Sequence, residues 1–565
     1  MSRSIAVACA CFLAAAACTG ARGAGERGTA ATAQVDGRSA LERAPRTHAE
    51  RTGYRETSSF AHVVAFLDSL VALGAPLHLD TLGTSTQGRR LPLVILSRPV
   101  VRTPEEALEL GRPIVYVQGN IHAGEVEGKE ALQALVRDLA LSASGSVLDS
   151  VVVLVVPIYN ADGNEQLAPQ AENRSEQNGP ALVGRRANAQ GLDLNRDYVK
   201  AEAPETRASL RLFGRWKPDV FVDLHTTNGS YHGYALTYSP SLHPAAPLGA
   251  FTHDTVLPIL RERMRSRHGF ETYHYGNFAV QYGADFTTDT LRDGWFTYDH
   301  RPRFGTNYYG LRRGISILSE AYSHDPFERR VRVTYAFVRE ILSLAAELRV
   351  DERARQFEPV ATRRNIAPAQ GGWSRSRSVS VRGELAPATT DLVVSEDLAA
   401  DADSVPDEAG VPRGIRRTGR YRTLRLPTRT RYVSTLDRSL PPSYLLGPAD
   451  SLAVALLRRH GVWVSTIGKT RTAVERFVVD SITRATRPFQ GHLETRVWGR
   501  WQAAAEEDIP AGSWIVPTLQ PLGALAAALL EPESDDGLAT WNFFDGFLRT
   551  GRRFPVGRVE ISIAP

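Results

Sequence analysis

The stretch Val115-Tyr116-Val117-Gln118-Gly119-Asn120-Ile121-His122-Ala123-Gly124-Glu125 runs from an apolar, strand-like segment straight into a His-x-x-Glu pair. Beyond it, Leu132, Leu135, Val136 and Leu139 recur at helical spacing, so the pair sits where a strand turns into a helix. A second apolar run, Val220-Phe221-Val222-Asp223-Leu224, ends at His225. Two histidines and one carboxylate offered from strand ends form the three-ligand set of a catalytic zinc ion, one per chain, with a fourth position open for water. Taken singly, His122 reads equally as a satisfied core histidine, and Glu125 as a first-turn acid favoured by the helix dipole. Together with His225 they point to hydrolysis. His268-Gly269-Phe270-Glu271 repeats the spacing, but it follows an Arg-rich segment and reads as solvated surface.

Outward from this stretch, strands and helices alternate. Phe60, Val63, Val64, Phe66, Leu67, Leu70 and Val71 mark an amphipathic helix. Strands are expected at 91–96, 113–118, 151–156, 220–224 and 314–319, and helices at 129–141, 205–216 and 326–348. The strand at 151–156 is wholly apolar, as burial on both faces requires. The expected fold class is α/β, a mixed, largely parallel sheet with helices on both faces, plus a C-terminal accessory α/β domain. Ligands of such sheets gather beyond the strand C-termini, where His122, His225 and Glu320 fall.

The 565 residues suffice for two domains. Of 67 basic residues only Lys129, Lys200, Lys217 and Lys469 are lysines, and the arginines are interspersed with 62 acids. A net charge of +5 distributed in this way offers no concentrated patch, which argues against nucleic acid as a partner. All three cysteines, Cys9, Cys11 and Cys18, lie in residues 1–18. That segment carries Arg3, an apolar core from Ile5 to Ala17 and small residues, the pattern of an export signal. Ala15-Ala16-Ala17-Cys18 resembles a bacterial lipoprotein box, in which Cys18 is lipidated; ordinary cleavage nearby would instead give a soluble periplasmic or secreted protein. The expected location is the periplasm or the outer membrane, with a lipid on Cys18 as the expected membrane attachment. Residues 19–52 read as a tether, 53–350 as the catalytic unit, 351–430 as an irregular linker and 431–565 as the accessory domain. Within the last, helices are expected at 448–459 and 522–530 and strands at 462–466 and 513–517, while Asp535-Asp536, which could suggest calcium, reads rather as a solvated acidic turn.

Further motifs follow His122 in order: Asn160-Ala161-Asp162-Gly163, then Gly184-Arg185-Arg186-Ala187-Asn188, then Asp193-Leu194-Asn195-Arg196, then His225, then Glu320. In that order they resemble the zinc carboxypeptidases of the carboxypeptidase A type over residues 59–348. The resemblance implies that His122, Glu125 and His225 hold zinc, and that Glu320 is the general base toward the zinc-bound water. Arg186 would stabilise the oxyanion, Asn195 and Arg196 would grip the free C-terminal carboxylate of a peptide substrate, and Asp193 would accept a hydrogen bond from His122. The family's mobile substrate-closing tyrosine falls on Tyr298 by its separation from Glu320, with Tyr308 and Tyr309 as competitors. The chain departs from the pancreatic enzymes at Gly124, where they carry an arginine. His232, His243, His274, His300 and His324 have no counterpart and read as structural or exposed.

Elementary chemistry suits these roles. A planar two-pronged carboxylate fits an arginine fork better than a lysine point charge. A fixed guanidinium in a dry site stabilises developing negative charge, and a carboxylate behind a metal histidine fixes its tautomer. The expected activity is C-terminal hydrolysis of peptides. Its rivals are a zinc amidase or deacylase, a cell-wall stem-peptide hydrolase, and a non-catalytic envelope binding module.

Overall fold

The computed structural model describes residues 44–142, 146–278, 294–348, 378–400 and 415–561. The expected export signal and most of the expected tether fall on residues 1–43, outside the described residues. Helix α1 (Phe60–Ala72) starts at Ser59, whose hydroxyl accepts from the His62 N–H, and buries Val63, Phe66, Leu67 and Leu70. There follow β1 (His78–Thr84), β2 (Arg90–Leu96), β3 (Ile114–Gly119), α2 (Glu127–Ala140), β4 (Val152–Val156), α3 (Pro204–Trp216) and β5 (Val220–Thr226). Next come β6 (Leu236–Pro240), α4 (Leu257–His268), β7 (Thr272–His274), α5 (Gly305–Leu311), β8 (Ile315–Ala321) and α6 (Phe327–Leu348).

The eight strands form one mixed sheet in the order β1-β2-β4-β3-β5-β8-β6-β7. Its four central strands, β4, β3, β5 and β8, are parallel, and β2 and β6 flank them antiparallel. Every residue of those four is buried, which their near-continuous apolar sequences allow. Helices cover both faces. On one, Leu224 of β5 packs so closely on α2 that a side-chain carbon at Gly128 would lie 2.8 Å from it. On the other, Phe221 meets Tyr309 of α5 at 4.2 Å, and Tyr309 stacks on Phe213 of α3 at 3.3 Å. Such aromatic pairs contribute about 0.5–1.5 kcal/mol each beyond their buried area. The strand expected to stop before Glu320 continues through it to Ala321, so that carboxylate is held by sheet rather than loop.

The region expected to be an irregular linker holds three strands among its described residues, Ser378–Leu385, Thr389–Ala400 and Ile415–Arg429. Apolar residues are few and unevenly spaced in Thr389–Ala400 and Ile415–Arg429, so the apolar alternation that marks a half-buried strand is weak there, although Val393 and Leu426 are buried. Thr389–Ala400 pairs with Ile415–Arg429, which continues into Trp295–Phe296 of the catalytic half. Farther on, a seven-stranded sheet carries the helices Ser451–Arg459 and Gly523–Leu530. Of the strand expected at 462–466, only Ser465 and Thr466 join that sheet, within the strand Ser465–Ile467. The Gln520 side chain binds both the N–H and the carbonyl of Trp463 and so replaces ladder partners there.

The two halves are joined through buried charge. Asp536 is fully buried and accepts from the Arg303 backbone at 2.6 Å and from its guanidinium at 2.7 and 2.9 Å. Asp535 accepts from His300 at 3.2 Å and from the Gly383 N–H. The expected solvated turn is therefore a buried anchor, and removing one partner of such a pair costs about 3–5 kcal/mol. His268, expected as free surface, has its Nε2 2.9 Å from Glu340 and ties α4 to α6. Among the described residues no helix is long and apolar enough to cross a membrane.

Candidate metal centre

Asn120 turns the chain out of β3 with φ of +64°, a left-handed conformation that asparagine adopts more readily than most residues, and its amide donates to the Ala123 carbonyl at 3.2 Å. The turn delivers His122 and Glu125 to the C-terminal edge of the sheet, where β5 delivers His225. Nδ1 of His122 lies 3.2 Å from Nδ1 of His225, and each of these atoms lies about 3 Å from an oxygen of Glu125. Among the described residues these three side chains form the group able to share a cation, with all ligand atoms within 4.8 Å. Two imidazole nitrogens and a carboxylate converging on one point, each side chain buried, make the donor set that suits zinc.

The surrounding groups set the orientation of each ligand. Nε2 of His122 is 3.1 Å from Asp193, which leaves Nδ1 toward the centre. Nε2 of His225 lies 3.0 Å from Asp223, though out of line for a hydrogen bond. Burial works against charge on His225, but Asp223 and Glu125 outweigh it and raise the ring well above the usual histidine range. Burial likewise opposes charge on Glu125, yet His122 and Arg174 hold its carboxyl well below the usual range. Asp193, penalised by burial, is also pulled well below by His122 and Arg186.

Glu320 stands beside His225 on the next parallel strand. Its Oε2 is buried without a hydrogen-bond partner. Burial pushes its carboxyl up to about 8; nearby His225 opposes this and Glu125 adds to it. Arg312 donates to Tyr308 Oη and to the His460 carbonyl. Arg186 donates to Asp193 through Nε at 3.0 Å and reaches Glu125 through Nη1 at 3.4 Å, with 39% of its side chain exposed. Gly163 explains that placement: a side-chain carbon there would lie 2.6 Å from the Arg185 carbonyl and 2.7 Å from that of Ala187. The Asn160 amide ties Ile121 to Arg186 by donating to both carbonyls.

Asn195 accepts from the Gly305 N–H at 2.8 Å, so its amide NH2 is the end left to donate. The Arg196 guanidinium lies 3.9 Å over the Phe304 ring and donates to the Asn195 carbonyl. Tyr298 packs edge-on to Tyr275 and Phe304, and its buried hydroxyl has no hydrogen-bond partner. Burial and then the charge of Glu320 raise that phenol well above its usual range. Tyr308 and Tyr309 lie away from this group, in contact with His460 and Phe213 respectively.

Arg174 escaped sequence reading. Almost wholly buried, it donates to Glu125 at 3.1 Å and to the carbonyls of Thr226 and Thr227 at 3.2 and 3.0 Å. No spacing links it to His122. Its one sequence signal is Gly124, since a side-chain carbon there would lie 2.7 Å from Arg174 Cγ. Asp223, also missed, was legible as the residue two before His225 on the same strand face.

Residues 63–300 match the family model described as zinc carboxypeptidase. Carboxypeptidase 2 of Trichophyton tonsurans is 24% identical over 501 residues, covering 84% of this chain and 81% of its own. Carboxypeptidase D of Mus musculus is 28% identical over 229 residues, 36% of this chain and 16% of its own. A metallo-carboxypeptidase structure from Pseudomonas aeruginosa, in complex with (2-guanidinoethylmercapto)succinic acid, aligns at 18% identity with a TM-score of 0.37, covering 52% of this chain and 70% of that one.

Proposed function

We propose that the protein is a metallopeptidase of the zinc carboxypeptidase type, a reading that the match of residues 63–300 to that family model supports, and that it hydrolyses the last peptide bond of substrates with a free C-terminal carboxylate. His122, Glu125 and His225 would hold one zinc ion. When bound, zinc polarises the scissile carbonyl and brings the pKa of a coordinated water to about 7.

The chain's own residues supply the rest. Glu320 takes a proton from the attacking water on its free Oε2 and returns it to the departing amine nitrogen. Arg186, fixed by Asp193, faces the negative charge that grows on the carbonyl oxygen. The Asn195 amide and the Arg196 fork bind the terminal carboxylate, and Tyr298 closes over the substrate. The observation that carries this reading is the convergence of both Nδ1 atoms and Glu125 on one point, with an unpaired buried carboxylate on the adjacent strand. The export-signal pattern of residues 1–18 supports an activity outside the cytoplasm, and a lipid on Cys18 would give an envelope-anchored form.

The test compares one peptide with a free C-terminal carboxylate and the same peptide as its amide. Because Asn195 and Arg196 would be left unpaired by the amide, kcat/KM is expected to favour the free acid by about 100-fold or more. Chelation should abolish both rates and one equivalent of zinc should restore them. Equal cleavage of the two peptides would transfer the site to the amidase class.

A further inference from the structure

The C-terminal half reaches the candidate centre through the tip of a hairpin. Arg487, Pro488, Phe489, Gln490, Gly491 and His492 form the tip of a hairpin between the strands Thr470–Arg484 and Thr495–Trp501. Phe489 and His492 exchange backbone hydrogen bonds at 2.8 and 3.0 Å. The two residues between them, Gln490 and Gly491, have φ of +50° and +81°. Two positive φ values in a two-residue loop define a primed turn, whose first position favours asparagine, aspartate or glycine. Glutamine is an uncommon and strained choice there.

The side chain explains the choice. Gln490 Oε1 accepts the backbone N–H of Asp193 at 2.9 Å, across 297 positions of sequence. Asp193 in turn faces His122 Nε2, accepts from Arg186 and caps the N–H of Asn195. The single turn that carries Asn195 and Arg196 is thus fixed from outside by the other half of the molecule. The hairpin is itself clamped: His492 lies 2.9 Å from Glu202, and Glu494 accepts from Arg303 at 2.5 Å.

We propose that Gln490 is a positioning residue of the catalytic site, so that the C-terminal half completes the centre by holding Asp193, and through it His122 and Arg186, in place. This rests on the zinc-peptidase reading for its kinetic consequence, while its effect on metal affinity stands apart from any turnover.

The test is Gln490→Gly in the full chain, because glycine accepts the positive φ and removes only the acceptor. Losing a partner directly behind a metal ligand costs about 10–100-fold in metal affinity, and one bond farther out about three- to tenfold weaker zinc binding is expected by chelator competition. The melting temperature of the zinc-free protein should hold or rise. Gln490→Glu, which keeps an acceptor oxygen at the same reach, should recover most of the affinity. A zinc dissociation constant within twofold of the parent, or a loss that tracks a lower melting temperature and is not rescued by glutamate, overturns the proposal. If the parent binds zinc but cleaves no peptide while the affinity shift persists, the peptidase reading falls and the positioning role stands.

Discussion

His225 and Glu320 occupy the same rung of adjacent parallel strands, so a candidate metal ring and an unpaired carboxylate rise side by side from one edge of the sheet. Neither depends on a mobile loop. Both positions are fixed by hydrogen-bond ladders within a fully buried pair of strands, the rigid support that a geometry-sensitive proton transfer needs.

Separate roles follow for the two, and they are separable by substitution. Glu320→Gln leaves the ligand set His122, Glu125 and His225 intact and is expected to bind one zinc per chain. Its turnover should fall about 10²–10⁴-fold, the usual contribution of a positioned acid–base group. His122→Ala removes a ligand and should lose the metal itself. Metal analysis alongside kinetics decides the matter: a Glu320→Gln protein with near-normal turnover would remove Glu320 from the chemistry.

How much of this was legible in sequence depended on how local each cause is. His122, Glu125, His225 and Glu320 stand at the ends of apolar runs whose periodicity is visible without coordinates. Asp193, Asn195 and Arg196 come in one short motif. Arg174 and Gln490 belong to no motif, because each acts through space on a residue far along the chain. Asp536 was misread for a related reason. An acidic pair in a sequence resembles a solvated turn, and only Arg303 arriving from the other half turns it into a buried anchor. The Arg-rich strand Ile415–Arg429 was hidden by composition, since its mostly polar side chains give no two-residue apolar alternation.

The raised Glu320 carboxyl makes a prediction about stability without metal. In the unfolded chain a glutamate titrates near pH 4.3, whereas burial moves this one up to about 8 in the fold. Between those values the folded protein keeps a proton that the unfolded chain has released. The stability contribution is therefore fully present below about pH 4.3 and is lost as pH rises through the folded value. Glu320→Gln cannot ionise and escapes that loss. Zinc-free parent and variant should melt together near pH 4, and the variant should melt higher at about pH 8. Adding zinc should narrow the gap, because a nearby positive charge favours the carboxylate. Melting curves across pH that coincide throughout would show that burial does not penalise this group.

Arg174 offers a test of how the carboxylate ligand is held. Its guanidinium joins Glu125, from the turn after β3, to the Thr226 and Thr227 carbonyls at the end of β5, so it sets the distance between the elements that carry the ligands. Arg174→Gln keeps polarity but loses the charge and the three-way reach, and zinc binding is expected to weaken about 10–100-fold. Arg174→Lys should recover only part, since a point charge cannot serve three oxygens in the geometry of a planar fork. Gly124→Ala approaches the same contact from the other side, for its new carbon would lie 2.7 Å from Arg174 Cγ and 2.9 Å from the Gly184 carbonyl. Zinc competition on the three variants should rank Arg174→Gln and Gly124→Ala as the weak binders, with Arg174→Lys between them and the parent. Parent-like affinity in both Arg174→Gln and Gly124→Ala would mean that Glu125 is held by the histidines, Arg186 and the Thr226 N–H without help from Arg174.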